Sequence, residues 1–191
     1  MEEALLKAAE VLRRGGVVAF PTDTVWGLLA LPHEPAAVEK VYRLKKRPRQ
    51  KPLQLLVAER EKAQALAEAD PRFLALAERF WPGALTLVAP ARVPFPLIGA
   101  RERVGIRLPA HPGLRELIRA VGGVVAATSL NESGRPPVRT FEEARRFGAD
   151  LTLAGPEPPG LASSVVVLPE GRVEREGAVP KELLLEVLAG R

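Results

Sequence analysis

The chain has 191 residues, of which 47% are hydrophobic and 27% charged, a composition that suits one globular domain with a substantial core. It has no cysteine and only two histidines, which excludes disulfides and thiolate metal sites and argues against a multi-histidine metal site. The net charge of +5 is compatible with an anionic partner such as a nucleotide or RNA, although an ordinary basic surface explains it equally well. The N-terminus carries charge throughout, and no apolar run reaches the roughly 18 residues of a membrane span, so we expect a cytoplasmic protein without membrane contact.

Apolar periodicity and turn residues divide the chain into alternating helices and strands. In chain order the predicted elements are helix 2–14, strand 17–20, helix 34–45, strand 53–57, helices 60–69 and 72–80, strands 84–88 and 103–108, helix 113–121, strand 124–127, helix 141–147, strands 151–153 and 164–168, and helix 180–188. This alternation predicts a single α/β or α+β domain over residues 1–191, built on a central sheet. His111 stands at a predicted helix start before a proline, and we interpret it as structural.

The first of three polar loops, Pro21-Thr22-Asp23-Thr24, directly follows the strand at 17–20. Polar loops that follow core elements of an open sheet converge at one edge and build the site there. Two hydroxyls and a carboxylate at a strand end can bind a small polar ligand. The alternative is a turn in which Asp23 and Thr24 satisfy their own backbone.

The second polar loop carries a dense cluster of cations, namely Lys45, Lys46, Arg47, Arg49 and Lys51. Like charges repel each other, so the cluster is unfavourable unless an anion binds there. Prolines stiffen the loop, which reduces the entropy lost when it binds phosphate. The alternative is a solvated basic loop. We expect the lysine and the arginine at 45 and 47 to be surface residues, so that replacing either one hardly changes stability.

The third polar loop runs from Thr128 to Gly134 and combines hydroxyl and amide side chains with a glycine, a composition suited to phosphate or carboxylate. The alternative is a polar turn that caps the next helix. The chain has no P-loop motif, no dinucleotide-binding glycine motif and no G-x-S-x-G nucleophile motif. Neither common nucleotide-binding fold is therefore indicated.

Together these segments resemble the YrdC/Sua5 family of threonylcarbamoyl-adenylate synthases over nearly the whole chain. GGVVAFPTDTVWGL resembles the family's opening strand and turn, LKKRPRQKPL its K-x-R-P segment, WPGALTLV its W-P-G-P-x-T, GIRLPAHP its A-V-R-x-P-x-H-P, and TSLNESGRPPVRT its [ST]-S-A-N-x-S-G-x-P. The resemblance implies the short, single-domain form of the family. It also implies a twisted central mixed sheet flanked by helices, with a basic cleft.

The resemblance further implies an enzyme that makes L-threonylcarbamoyladenylate from ATP, L-threonine and bicarbonate. The product supplies the threonylcarbamoyl group for a tRNA adenosine modification, through downstream transfer proteins. Threonine's amine becomes a carbamate, which attacks the α-phosphorus of ATP and displaces pyrophosphate. Mg²⁺ is expected as the counter-ion of ATP, with no protein ligand identified.

The family's site residues map onto this chain position by position. The catalytic, ATP-binding tetrad is Lys45, Arg47, Ser129 and Asn131, joined on ATP by Arg175, and the threonine-binding residues are Thr22, Arg107 and Ser163. Trp26 stands where the family has tyrosine or phenylalanine and is a candidate wall for the threonine methyl group. Leu130, Ala162 and Ser164 also depart from the pattern.

Two other functions are open from the sequence. Family members are also described as binding double-stranded RNA on a basic concave surface, so the chain could be an RNA- or tRNA-binding module. It could also be a related adenylate-forming enzyme with another amine substrate. Pyrophosphate release that requires threonine distinguishes the enzyme from the RNA binder, and a panel of amino acids tests the second alternative.

Overall fold

The computed structural model describes residues 1–190, which are organised around one sheet of nine strands. The strands are β1 (Val18–Pro21), β2 (Trp26–Ala30), β3 (Gln54–Val57), β4 (Leu85–Pro90), β5 (Arg103–Arg107), β6 (Val124–Ser129), β7 (Leu151–Thr152), β8 (Ser164–Val167) and β9 (Arg172–Arg175). Their order is β7-β1-β2-β6-β3-β5-β4-β8-β9, with parallel pairs at β7–β1, β3–β5 and β4–β8. The predicted α/β class with a central mixed sheet is confirmed. Arg191, the last residue of the predicted domain, lies outside the described residues.

Helices cover the sheet. They are α1 (Glu3–Arg13), α2 (Pro35–Lys45), α3 (Arg60–Leu66), α4 (Pro71–Phe80), α5 (Pro112–Ala120), α6 (Phe141–Arg145) and α7 (Lys181–Leu188), with a 3-10 turn at Pro96–Ile98. Two of them begin with a capping side chain followed by proline, whose missing N–H costs nothing at that position. Asp70 accepts from the Phe73 N–H at 2.9 Å, and Nδ1 of His111 accepts from the Leu114 N–H at 3.1 Å. The structural interpretation of His111 is therefore confirmed. None of the helices within residues 1–190 has the length and apolar character needed to cross a bilayer.

The larger core cluster lies on one face of the sheet, where apolar side chains of α2, α3, α4 and α7 pack against the strands. On the other face, α1 and α5 pack against β1, β2, β3 and β6. Within residues 1–190, this second cluster takes no side chain from β4, β5, β8 or β9. Alternate residues on that uncovered half, such as Thr86 and Val88 on β4 and Val165 and Val167 on β8, line an open cleft instead.

Two strands were not predicted. All five residues of β2 are buried between β1 and β6, so its sequence WGLLA lacks the alternation that identifies a half-exposed strand. Strand β9 lies at the sheet edge, and its charged sequence RVER gives no strand signal. The helix predicted over 60–69 ends at Leu66, because Ala67 is extended and pairs with Ala91.

Candidate active site

The uncovered half of the sheet forms a cleft of about 870 Å³, within the size range of natural ligand sites. A small recess of about 30 Å³ adjoins it, and Gln54, Thr128 and Ser129 line both cavities. We refer to them as the cleft and the inner recess. The charged residues that line the cleft are Arg47, Arg103, Arg172, Arg175, Glu170 and Glu174. Arginine thus outnumbers glutamate, and the cleft has the basic character expected from the sequence.

Lys45 is the last residue of α2 and is buried, with 1% of its surface exposed. Its ammonium group donates three hydrogen bonds, to Ser129 O at 2.6 Å and to Asn131 O and Oδ1 at 2.9 Å each. Burial, with a smaller repulsion from Arg47, lowers the pKa of Lys45 to about 8. The expectation that Lys45 is a surface residue whose loss hardly affects stability is therefore wrong. Lys45 lies behind the cleft wall and is bonded to the loop that follows β6.

The loop after β6 is held by the side chains of its own polar residues. Ser129 Oγ donates to Asn131 Oδ1 at 2.5 Å, and Asn131 Nδ2 donates to Glu132 O and Arg135 O at 2.9 and 2.7 Å. The backbone N–H of Ser133 also donates to Lys45 O at 2.8 Å. Ser129 and Asn131 both line the cleft. This part of the cleft wall is therefore fixed before any ligand binds.

The cations of the basic loop do not converge on one point. Lys46 forms an ion pair with Glu132 at 3.4 Å, and Arg49 pairs with Glu39. Arg47 donates to Pro52 O at 2.8 Å and lines the cleft. Neighbouring acids and carbonyl groups therefore disperse the cluster that the sequence presents, and within residues 1–190 Arg47 is the one cation of this loop that lines the cleft.

Thr22 and Arg107 meet at the inner recess. Arg107 is 2% exposed, and its NH1 group donates to both carboxylate oxygens of Asp23 at 3.0 and 2.9 Å. Within residues 1–190, its Nε is a buried donor without a partner. A ligand or an ordered water normally completes such a donor. Thr22 Oγ1 donates to Val25 O at 2.5 Å, so the turn at residues 21–24 is closed by its own side chains.

Asp23 is a site residue whose partner the sequence does not identify. It holds Arg107 in place and also accepts from the backbone N–H of Ala110 at 2.9 Å. The signal in the sequence is a carboxylate inside a polar loop, but its arginine partner stands 84 positions further along the chain. Only the sheet brings the two together.

Ser163 and Arg175 line the wall of the cleft opposite the loop after β6. Arg175 Nε donates to Ser163 O at 2.9 Å, and its NH2 group donates to Ser163 Oγ at 3.2 Å. Burial lowers the pKa of the Arg175 guanidinium from its ordinary value. The structure thus brings Arg47, Ser129, Asn131, Ser163 and Arg175 to one cleft.

Trp26 does not line either cavity. It is 1% exposed, packs in the larger core cluster with its ring centroid 6.4 Å from that of Phe141, and donates through Nε1 to Arg139 O at 3.3 Å. The hypothesis that Trp26 forms the apolar wall of the ligand pocket is therefore wrong. The apolar residues of the inner recess are Val25, Leu29, Leu56 and Ala127.

The other departures from the family pattern have separate places in the fold. Leu130 is fully buried in the core, and Ala162 lines the cleft. Ser164 is fully buried, and its hydroxyl accepts from the Gly177 N–H at 2.8 Å and donates to Val179 O at 2.7 Å. Of the three, Ala162 alone is in contact with the cleft.

The acidic residues of the cleft do not form a metal site. Glu170 is paired with Arg103 and Glu174 with Arg172. In the part of the chain that the structure describes, no three histidine, aspartate or glutamate side chains come together as metal ligands. The described residues therefore do not provide a cage for a divalent cation.

A comparison with known proteins identifies relatives over most of the chain. The family model for Sua5, YciO and YrdC proteins, described as "Telomere recombination", matches residues 10–177. The threonylcarbamoyl-AMP synthase of Halorhodospira halophila is 41% identical over 169 residues, covering 86% of this chain and 88% of that protein. The synthase of Bacillus subtilis is 37% identical over 194 residues, which are 96% of this chain but 56% of that protein.

Solved structures have the same fold. Pyrococcus abyssi Sua5 complexed with L-threonine superposes with a TM-score of 0.88 at 35% identity, covering 96% of this chain and 57% of that chain. Escherichia coli YciO gives a TM-score of 0.83 at 25% identity, covering 91% of this chain and 89% of that chain. This chain therefore matches the shorter relatives nearly end to end and spans about half of the longer ones.

Proposed function

Because the chain belongs to the Sua5/YrdC family, whose curated members include the threonylcarbamoyl-AMP synthases, we propose that it makes L-threonylcarbamoyladenylate. The amine of L-threonine first takes up bicarbonate, forming a carbamate with loss of water. A carbamate oxygen then attacks the α-phosphorus of ATP, and the bond to pyrophosphate breaks. The product supplies the threonylcarbamoyl group for adenosine modification in tRNA, through separate transfer proteins. We propose that residues 1–191 act as one domain in this reaction, in the cytoplasm.

One observation carries the proposal, the arrangement of two adjoining cavities of different character. The cleft is large and basic, as an ATP site requires, and it opens into a recess with a buried arginine and an apolar wall. A small amino acid can place its side chain or carboxylate in the recess and direct its amine towards the cleft. The two substrates then meet where the cavities join.

The proposed roles follow from this arrangement. Arg47 and Arg175 neutralise the phosphates of ATP, and Ser129 and Asn131 orient them through hydrogen bonds. Lys45 has all three N–H groups engaged with the loop after β6, so we propose that it serves ATP binding by holding that loop. Thr22 and Arg107 bind threonine at the recess, and Ser163 contacts it from the opposite wall of the cleft.

No covalent intermediate is needed in this mechanism. An anion attacks a polyanion, so the protein must neutralise charge and align the attacking oxygen with the leaving group. The arginines and oriented hydroxyl and amide groups of the cleft provide both. Mg²⁺ is proposed to arrive with ATP, coordinated by phosphate and water, since the described residues provide no cage for it.

The direct test is to incubate the protein with ATP, L-threonine and bicarbonate and to search for threonylcarbamoyladenylate by mass spectrometry. We expect the product only when all three substrates are present. Pyrophosphate release that does not depend on threonine would contradict the proposal. A panel of other amino acids in the same assay tests the related adenylate-forming activities.

Replacing Arg47 with alanine is expected to weaken ATP binding or turnover by roughly tenfold or more, because a hydrogen bond to a charged group contributes about 1.5 to 3 kcal/mol. Calorimetric titration with ATP measures the change. Arg49→Ala is the matched control, since Arg49 belongs to the same loop but pairs with Glu39. Equal ATP affinities for the two variants would remove Arg47 from the nucleotide site.

Serine is expected to be a poorer substrate than threonine but not an excluded one. It lacks only the methyl group, and one such apolar contact discriminates by about 1 to 3 kcal/mol. The ratio of kcat/KM for the two amino acids measures this discrimination. Val25→Ala should bring the ratio closer to one, whereas Trp26→Phe should leave it unchanged. The reverse result would show that Trp26, and not Val25, contacts the methyl group of threonine.

A further inference from the structure

A chain of hydrogen bonds crosses the floor of the cleft from β9 to β3. Arg175 NH2 donates to Ser163 Oγ at 3.2 Å, Ser163 Oγ lies 2.8 Å from Thr86 Oγ1, and Thr86 Oγ1 donates to Gln54 Oε1 at 2.9 Å. Ser163 and Thr86 are buried, with 4% and 3% of their surfaces exposed. The four side chains all line the cleft.

The amide oxygen of Gln54 at one end fixes the direction of the bonds in this chain. An amide oxygen can only accept, so Thr86 Oγ1 donates to Gln54 Oε1, while Ser163 Oγ accepts from the guanidinium of Arg175 and has its own proton available for Thr86. Thr86 then accepts from Ser163 and directs its single proton to Gln54. Its Nε2 group, with two N–H donors, is consequently turned away from Thr86.

Gln54 stands where the cleft and the inner recess join, because it lines both cavities. Among residues 1–190, its Nε2 has no hydrogen-bond partner. We propose that Gln54 is a substrate-binding residue, whose Nε2 donates to an anionic oxygen of the reacting groups at this junction. The inference rests on the proposed function, in which the carbamate and the α-phosphate meet there.

The surroundings of the junction favour an anionic oxygen as the acceptor. The other polar residues common to the two cavities are Thr24, Thr128 and Ser129, and none of them carries a negative charge. A neutral amide adds a donor without introducing a further buried cation beside Arg107. Its orientation is set by the hydrogen-bond chain before substrate binds, so it need not be reorganised when charge develops.

Gln54→Leu tests the donor with little change in volume. We expect kcat/KM for threonylcarbamoyladenylate formation to fall roughly tenfold to a hundredfold, the loss expected when one hydrogen bond to a charged group is removed. Gln64→Leu is the matched control, because Gln64 is exposed on α3 away from the cleft. Thermal unfolding of Gln64→Leu should match the unchanged protein. Gln54→Leu leaves the buried Thr86 hydroxyl without its acceptor, so its activity is compared at a temperature where circular dichroism shows that it is folded.

Gln54→Glu adds a readout that loss of structure alone does not produce. At neutral pH the carboxylate cannot donate and repels the anion, so the defect should exceed that of Gln54→Leu. Protonation restores an O–H donor. The activity of Gln54→Glu relative to the unchanged protein should therefore rise as the pH falls, while that of Gln54→Leu should not.

Thr86→Val tests the hydrogen-bond chain. It removes the proton donated to Gln54 Oε1. As a single substitution it should therefore lower kcat/KM, but added to Gln54→Leu it should lower kcat/KM little further. An active protein in which Gln54→Leu stays within twofold of the control overturns this inference and leaves the proposed function intact. A properly folded protein that forms no adenylate from the three substrates refutes the proposed function itself.

Discussion

Lys45→Met is expected to destabilise the protein and to abolish most of its activity. The change removes a donor shared by three partly buried oxygen atoms, of which Ser129 O and Asn131 Oδ1 keep a second donor, and an unsatisfied buried group costs about 1 to 3 kcal/mol. Removal of a buried charge offsets part of this cost, so we expect the free energy of unfolding to fall by about 1 to 3 kcal/mol in total. Adenylate formation should fall roughly a hundredfold, the effect of a displacement of about 1 Å in a positioned group.

Chemical denaturation measures the first effect, and product formation at a temperature where the variant is folded measures the second. Lys46→Met is the matched control. Lys46 is the next residue, and its exposed side chain pairs with Glu132. Equal unfolding free energies and equal rates of product formation in the two variants would show that the ammonium group of Lys45 does not hold the loop.

The protonation state of Lys45 gives this prediction a dependence on pH. The pKa of Lys45 is lowered to about 8 by burial. A neutral amine has two N–H groups for three oxygen atoms, so ATP affinity should decline as the pH rises through about 8. Lys45→Met should lack this decline.

The contribution of Lys45 to folding stability changes with pH in the opposite direction to its contribution to ATP affinity. Its pKa is about 8 in the folded protein and 10.5 for an unperturbed lysine, so between these values the unfolded chain binds more protons. The contribution of this group to stability therefore rises with pH in that window. Deprotonation of Lys45 therefore does not unfold the protein above pH 8, and a loss of ATP affinity there would reflect weaker binding.

The double replacement Ser129→Ala with Asn131→Ala is expected to reduce adenylate formation by a hundredfold or more, because a lost oriented donor in a desolvated site costs roughly 2.7 to 4 kcal/mol. The variant should remain folded, since Lys45 keeps its bonds to the carbonyl oxygens of both residues. Steady-state pyrophosphate release in the presence of threonine is the measurement.

The same variant separates the enzyme from an RNA-binding module. Both residues are neutral, whereas RNA affinity depends mainly on phosphate neutralisation by lysine and arginine and falls steeply with salt. Any affinity for double-stranded RNA, and its salt dependence, should therefore be nearly unchanged. Loss of RNA binding with retained synthesis would show that this loop contacts RNA and that the active site lies elsewhere.

The sequence predicted most of the elements and the residues that gather at the cleft, but it did not predict what Lys45 contacts. Its position in a run of cations indicated an exposed residue that binds phosphate. The structure buries it because its partners, Ser129 at the end of β6 and Asn131 just after it, are positioned by a strand that pairs with neighbours distant in sequence. Such a contact has no local signal, so neither composition nor spacing could identify it.

Trp26 was misassigned for a related reason. It stands in β2, a strand buried on both faces. The apolar run that begins with Trp26 has no periodicity that would distinguish a buried strand from a loop lining a pocket. Because β2 was not predicted as a strand, the side of the sheet that each of its residues faces could not be assigned. Gln54 was missed because a lone glutamine at a strand start is not a motif, and its role depends on Thr86 and Ser163 from other strands.

The strand order across the cleft has a consequence for how the protein is made. The floor combines strands from residue 54 to residue 175, and β4 has β8 as its neighbour on one side. During synthesis, β4 can pair with β5 soon after both have emerged, but its other edge stays unpaired until residues 164–167 have emerged. Closure of a long intervening segment also slows folding. A nascent chain thus has no nucleotide site until nearly all of it has been translated, and in that interval it exposes one unpaired edge of β4 to chaperones or to other unfinished chains.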